Sequence, residues 1–163
     1  MEKVKTYILD QIIEELKTQI QNAEKGRSHS IEESKSHKGA MTSRYDTFKE
    51  EAQYLAGGYS ALLVELNKTL GILKFIRNHP PVITTKGSNY TIVEIKDLDN
   101  GMIIKYFLLP VGGGNTYEVE GEKITVINVG APLAHAFIGT VSGDEVKIEI
   151  KRNTKRFSII SVS

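Results

Sequence analysis

Apolar residues recur at helical spacing in two long runs of the first half of the chain. Ile8, Ile12, Leu16, Ile20 and Ala23 form one stripe, flanked by Leu9 and Ile13, with Glu14, Glu15, Lys17 and Gln21 turned away from it. In the second run Phe48, Ala52, Leu55, Tyr59, Leu62, Leu66, Leu73 and Ile76 step alternately by three and four, the spacing of a coiled-coil seam, with Thr69 at its polar position. The pattern predicts two long helices. Gly26-Arg27-Ser28-His29-Ser30 and Ser36-His37-Lys38-Gly39 between them are polar and apolar-poor, and Gly39 suits a tight reversal. A helical hairpin from about residue 3 to about residue 77 follows, with its tip near residues 36 to 44. Arms of about 33 residues would be about 50 Å long at 1.5 Å per residue, more than a compact core needs, so the hairpin is expected to protrude or to dimerise.

His79-Pro80-Pro81 ends the helical pattern, because a proline lacks the N–H that continues a helix and restricts the residue before it. Beyond it, runs rich in β-branched and aromatic residues predict strands at Tyr90 to Ile95, Met102 to Leu109, Lys123 to Asn128, Glu145 to Lys151 and Arg156 to Val162. Asp99-Asn100-Gly101 reads as a hairpin turn, Lys151-Arg152-Asn153-Thr154-Lys155 as a second, and Pro132 to Ile138 as a short helix with proline in its first turn. The fold class is therefore α+β: an N-terminal antiparallel helical hairpin over residues 1–79, then a small, mainly antiparallel β-domain with one short helix over residues 80–163.

Composition narrows the function. The chain has 163 residues, 21 Lys+Arg against 20 Asp+Glu, and no cysteine. A charge near zero gives no global field for nucleic acid or an anionic membrane, so any polyanion contact must be local. The lack of cysteine removes disulfides, thiolate metal sites and thiol nucleophiles, and fits a reducing compartment. The first residues lead directly into a charged amphipathic pattern without an apolar export segment, and no stretch has the length and apolarity of a membrane span, so a cytoplasmic protein is expected.

Ala131-Pro132-Leu133-Ala134-His135-Ala136-Phe137-Ile138-Gly139, followed by Gly143-Asp144-Glu145-Val146 and placed after a helical hairpin, resembles the GreA/GreB transcript-cleavage factors of bacterial RNA polymerase. The resemblance runs along nearly the whole chain. It implies an FKBP-like C-terminal domain that docks at the rim of the polymerase secondary channel, here through Pro132, Leu133, Phe137 and Ile138, while the coiled coil enters the channel. It implies RNA polymerase as partner, contact with nascent RNA or DNA only indirectly, no membrane, and a monomer. In that family the tip motif Asp-Leu-x-Glu-Asn-Ala-Glu-Tyr supplies carboxylates that help hold a catalytic Mg²⁺ and activate water. No cofactor is required by the chain itself, and Mg²⁺ would enter at the tip only in complex with polymerase.

This sequence departs from the family where that chemistry resides. Aligned from Gly39, the acidic positions become Ala40 and Ser43; aligned from Ala52-Gln53-Tyr54, Glu50 meets the family Glu and Thr47 replaces the Asp. The remaining acidic candidates are Asp46, Glu50 and Glu51, with Asp46 and Glu50 one helical turn apart. Acidic residues opening a helix also complement its dipole. Lys35, Lys38 and Arg44 are the basic candidates at the tip, part of a local cationic excess from Lys25 to Arg44 that suits phosphates or an acidic channel, and equally a solvated loop. Gly130 and Ala131 stand where the family often has an Asp or Asn and a Ser before the proline; each lost polar contact would weaken docking by about 0.5 to 1.5 kcal/mol. The expectation is an elongation regulator that occupies the channel and stimulates little or no transcript cleavage, and is not an autonomous enzyme.

Other motifs carry less. His29, His37, His79 and His135 are too scattered for metal-ligand spacing, Gly112-Gly113-Gly114 lacks the Lys-Ser/Thr of a phosphate cradle, and the basic run Lys151, Arg152, Lys155 and Arg156 suits either nucleic-acid contact or a blunted sheet edge. The alternatives are an FKBP-like prolyl isomerase or chaperone, which would need an aromatic-lined pocket, and a structural coiled-coil dimerisation module.

Overall fold

The structure, a computed structural model, describes residues 1–36, 42–150 and 153–163. Two long helices come first, α1 (Glu2–Ser36) and α2 (Thr42–Asn78), followed by strands β1 (Ile92–Asp97), β2 (Ile103–Leu109), β3 (Thr116–Val119) and β4 (Glu122–Asn128), the short helix α3 (Pro132–His135), and strands β5 (Glu145–Ile150) and β6 (Asn153–Val162). By its contacts the chain forms two compact units, Asp10–Lys74 and Met1–Leu9 with Phe75–Ser163.

In the helical unit the stripe on α1 is buried as its spacing predicts: Ile12, Ile13, Leu16, Ile20 and Ala23 all lie below a tenth exposed. The polar segment Gly26 to Ser30, read from the sequence as lying between the helices, is instead helical. Its composition is explained by contact, because a Cβ at Gly26 would lie 2.5 Å from the Tyr59 ring, and Ser30 satisfies its buried hydroxyl on the Gly26 carbonyl at 3.0 Å. The α2 seam is also phased differently from expectation. Ala52, Leu63, Leu70 and Leu73 are buried and Ala56, Tyr59 and Leu66 half-buried, whereas Phe48, Leu55 and Leu62 are exposed at 57%, 52% and 46%. From the shared row of residues 52, 59, 66 and 73, a three-and-four step can run through either 55/62/69 or 56/63/70. The second choice buries Leu70 in place of Thr69 and so spares the seam a threonine hydroxyl. The reversal at Gly39 lies outside the described residues.

α2 stops at Asn78, before Pro80 and Pro81, and the His79 ring stacks on Phe75 with centroids 4.9 Å apart. The β-domain is one six-stranded sheet in the order β3-β4-β2-β1-β6-β5. Among the described residues β2 and β4 pair in parallel, and the other four ladders are antiparallel. The β1–β2 turn closes as expected, with Gly101 at φ +73 and its N–H donating to the Asp97 carbonyl at 2.7 Å. β3 is a strand the sequence reading lacks. The signal for it was the pair Glu120-Gly121, whose φ angles of +53 and +81 are those of a two-residue hairpin turn between Thr116–Val119 and Glu122–Asn128. β1 starts two residues later than expected, because Tyr90 turns through a left-handed φ of +67; α3 ends at His135, and β6 begins at Asn153.

Alternation along the strands gives the sheet two apolar faces. One carries Val93, Ile95, Leu108, Ile127, Phe157 and Ile159 and is covered by Ala134 and Phe137 from α3 and its continuation. The other presents Ile92, Phe107, Leu109, Ile124 and Val126, all buried, with Tyr90. Here the start of α1 is tied to the sheet: Lys5, 1% exposed, sits 3.2 Å from Glu2 and 4.8 Å from the Tyr90 ring centroid, and the Tyr90 hydroxyl donates to Glu2 at 3.3 Å. No described helix is long and apolar enough to cross a membrane.

Candidate functional site

The segment after β4 is held from several sides. Asn128 accepts the Gly130 N–H on its Oδ1 at 2.8 Å and donates from Nδ2 to the Pro110 carbonyl at 3.4 Å, which sets the turn into α3. Ala131 is the N-cap and has no side-chain cap, and Pro132 opens the helix where its missing N–H costs nothing. Behind the helix Phe137 is fully buried and stacks on Tyr106, with centroids 5.6 Å apart and planes at 22°. Gly139 N–H donates to Gly87 O at 2.7 Å, Gly87 N–H donates to Thr140 O at 2.8 Å, and the Thr140 hydroxyl donates to Phe137 O at 2.7 Å. A Cβ on Gly87 would lie 1.9 Å from that Phe137 oxygen, so the crossing admits only glycine without a backbone shift.

The four sequence-predicted docking residues therefore do different things. Pro132 and Ile138 are exposed, Ile138 at 45%, and Leu133 is half-buried. Phe137 does not reach the surface, which corrects its expected place in a contact: it is the anchor beneath the segment and holds Pro132 and Ile138 outward. Its burial follows from position, because three residues beyond Ala134 on a helical turn lies the same inward face.

At the other candidate site Asp46, Glu50, Glu51 and Lys35 are all exposed. Lys38 and Ala40 lie outside the described residues, as do the side chains of Ser43 and Arg44. Among the described residues no group of three or more His, Asp or Glu side chains converges to hold a metal. Two solvated carboxylates fill too little of the octahedral oxygen shell of Mg²⁺ for a resident site. An open hollow of about 510 Å³ beside them is lined by Glu50, Glu51, Tyr54 and Leu55.

The remaining motifs resolve in structural terms. Lys155 pairs with Asp97 at 3.4 Å, which takes it out of the basic run, and the Asp99 backbone N–H, with help from Lys155, holds the Asp97 carboxyl below its usual range. Lys151 and Arg152 lie outside the described residues. His29 faces Glu33 at 3.5 Å, and His135 is exposed. Tyr90, Phe107, Phe137 and Phe157 are all buried among core side chains, so these aromatics do not line a cleft of the kind a prolyl isomerase needs.

No protein-family model matches the chain. It is 32% identical over 56 residues to the transcription elongation factor GreA of Polaromonas naphthalenivorans, covering 31% of this chain and 35% of that protein. It is 29% identical over 82 residues to the GreA of Acinetobacter baumannii, covering 44% and 52%. The chain thus spans about half, or less, of the curated relatives it matches. Among solved structures, GreA factor homolog 1 (Gfh1) of Thermus thermophilus aligns over 97% of this chain and 94% of its own at 15% identity and a TM-score of 0.39. A GreA/GreB elongation factor from Nitrosomonas europaea aligns over 50% and 64% at 18% identity and a TM-score of 0.36.

Proposed function

We infer that this chain, whose sequence similarity to two GreA factors supports a GreA/GreB-type family, is a regulator of transcription elongation that binds RNA polymerase. The β-domain docks through the surface of Pro132, Leu133 and Ile138, and the helical hairpin enters the secondary channel. The observation that carries the reading is that similarity. The built geometry of the α3 segment supports it: an exposed proline and isoleucine fixed over a buried phenylalanine form a small, rigid apolar contact. Burying the exposed part of Ile138 on a partner contributes about 1 kcal/mol.

The same reading makes the protein an occupant of the channel with little cleavage activity. Ala40 and Ser43 bring no negative charge, and the carboxylates of Asp46 and Glu50 are solvated and do not form a metal site among themselves. Mg²⁺, were polymerase to hold it near the tip, would supply an activated water and polarisation of the phosphodiester. This chain's residues contribute position and steric occupation.

Binding of polymerase by wild type, Pro132→Ala and Ile138→Asp tests the docking half of the reading. A charged side chain in the contact should weaken binding at least tenfold while unfolding of the free protein stays unchanged. Equal affinity of all three would remove the α3 segment from the interface.

A further inference from the structure

Beyond polymerase binding, we propose that the free edge of β5 is a self-association site, at which two copies of this chain join their sheets antiparallel about Ile148. Among the described residues β5 is the last strand of the sheet and pairs with β6 alone. A free edge presents a row of main-chain donors and acceptors. The Asp144 carbonyl accepts from the Ile159 N–H at 2.8 Å, so in the alternating ladder Val146 and Ile148 turn their main-chain groups to β6. Glu145, Lys147 and Glu149 turn theirs outward.

Side-chain charges choose the occupant. Glu145, Lys147 and Glu149 are exposed on one face, and Val146 and Ile148 are half-buried on the other, packed against the core cluster. Within the chain none of the three charges meets an opposite charge across the ladder: Glu145 faces Ser158, Glu149 faces Thr154, and Lys147 faces Arg156, a like charge. A second copy with Ile148 on the two-fold axis brings Glu149 opposite Lys147 twice, and Ile148 opposite Ile148. The outward main-chain groups of residues 147 and 149 then meet as hydrogen-bonded pairs. A shift of two residues in either direction sets Lys147 against Lys147 or Glu149 against Glu149, and a shift of one turns the apolar face of the copy to the wrong side. A slip of four, to a two-fold about Val146, again sets Glu145 opposite Lys147 but puts Ile148 opposite Asp144, so of the registers that match charge, face and hydrogen bonds the one about Ile148 keeps that side chain against an apolar partner.

An edge built to repel its own copies would carry one sign of charge or a proline. This edge alternates in sign, so it attracts its antiparallel copy and disfavours slips of one or two residues. A two-fold contact of this kind closes on itself and gives a dimer, not a fibre. Because the edge is short and its ion pairs are solvated, the dimer should be weak and sensitive to salt.

The test is sedimentation of the full chain over a concentration series at low salt. Wild type should show a monomer–dimer equilibrium that weakens with added salt. Lys147→Glu and Glu149→Lys should each weaken it about tenfold or more, since two attractive pairs become repulsive. The double variant Lys147→Glu/Glu149→Lys restores complementarity with the signs exchanged, and should recover the wild-type constant. A monomer at every concentration up to about 1 mM, or a dimer indifferent to both single variants, overturns the proposal; the latter would move association to another surface.

Discussion

Replacing Phe137 separates anchoring from docking. The side chain is fully buried, stacked on Tyr106 at 5.6 Å, and belongs to the cluster of Val93, Ile95, Leu108, Ile127, Ala134, Phe157 and Ile159. Truncation to alanine removes a ring from a packed interior with no solvent route to refill the space, and such changes cost about 3 to 5 kcal/mol. Against a domain stability of about 5 to 15 kcal/mol, that is a large fraction. With a urea slope of about 2 kcal/mol per molar, the midpoint should fall by about 2 M. The chain has seven tyrosines and no tryptophan, so tyrosine emission, with Tyr106 directly against the ring, follows the transition. Ile138→Ala, one residue further and 45% exposed, should stay within about 0.5 kcal/mol of wild type. If Phe137→Ala moves the midpoint by less than about 0.5 M at unchanged slope, the ring is not the anchor, and the account of a docking surface held from beneath is wrong.

Further expectations follow from single contacts. Gly87→Ala should destabilise the β-domain by about 1 to 3 kcal/mol, read by the same urea titration, because its Cβ would fall on the Phe137 carbonyl; unchanged stability would contradict the crossing described. Burial first, and Glu2 second, push the Tyr90 hydroxyl up to about 12, so the folded state keeps that proton longer than the unfolded state does. The resulting stabilisation is complete below the ordinary tyrosine value of about 10 and is lost as pH rises from there through about 12. Ultraviolet titration of wild type should show a late phenolate component that shrinks by one tyrosine in Tyr90→Phe, leaving that of Tyr106, which burial also raises; a late component undiminished in the variant would refute the assignment. Asp97 is depressed in the folded state, so its contribution is present above its ordinary value and fades as pH falls below it; Asp97→Asn should flatten that acid limb.

The helices were legible because their apolar spacing runs over many turns, and burial on α1 follows the stripe from Ile8 to Ala23. The phase of α2 was marked only weakly, since Leu55 and Leu62 on one side of the row 52, 59, 66 and 73 rival Ala56 and Leu63 on the other and only Thr69 against Leu70 separates them. Gly26 misled for a related reason: glycine reads as a break in one dimension, and here it is the space that the Tyr59 ring fills. β3 was hidden by its four-residue length and by the glycines before it, although Glu120-Gly121 marked its turn. In the docking segment the proline and the hydrophobic positions were readable, but which of Phe137 and Ile138 points inward depends on where α3 ends. The acidic candidates at the tip were readable as residues, and the structure leaves Asp46, Glu50 and Glu51 exposed.

The central claim is that the protein occupies the polymerase channel without supplying cleavage chemistry. A stalled, backtracked elongation complex incubated with it, alone and against an authentic GreA factor, tests this most directly by the rate of 3′ RNA cleavage. The account predicts little acceleration by the protein alone, no change in that low rate for Asp46→Ala/Glu50→Ala, and a dose-dependent slowing of cleavage by the competing factor. Strong cleavage that the double variant abolishes would make those carboxylates the catalytic site, and an absence of any competition would remove the channel as the place where the protein acts.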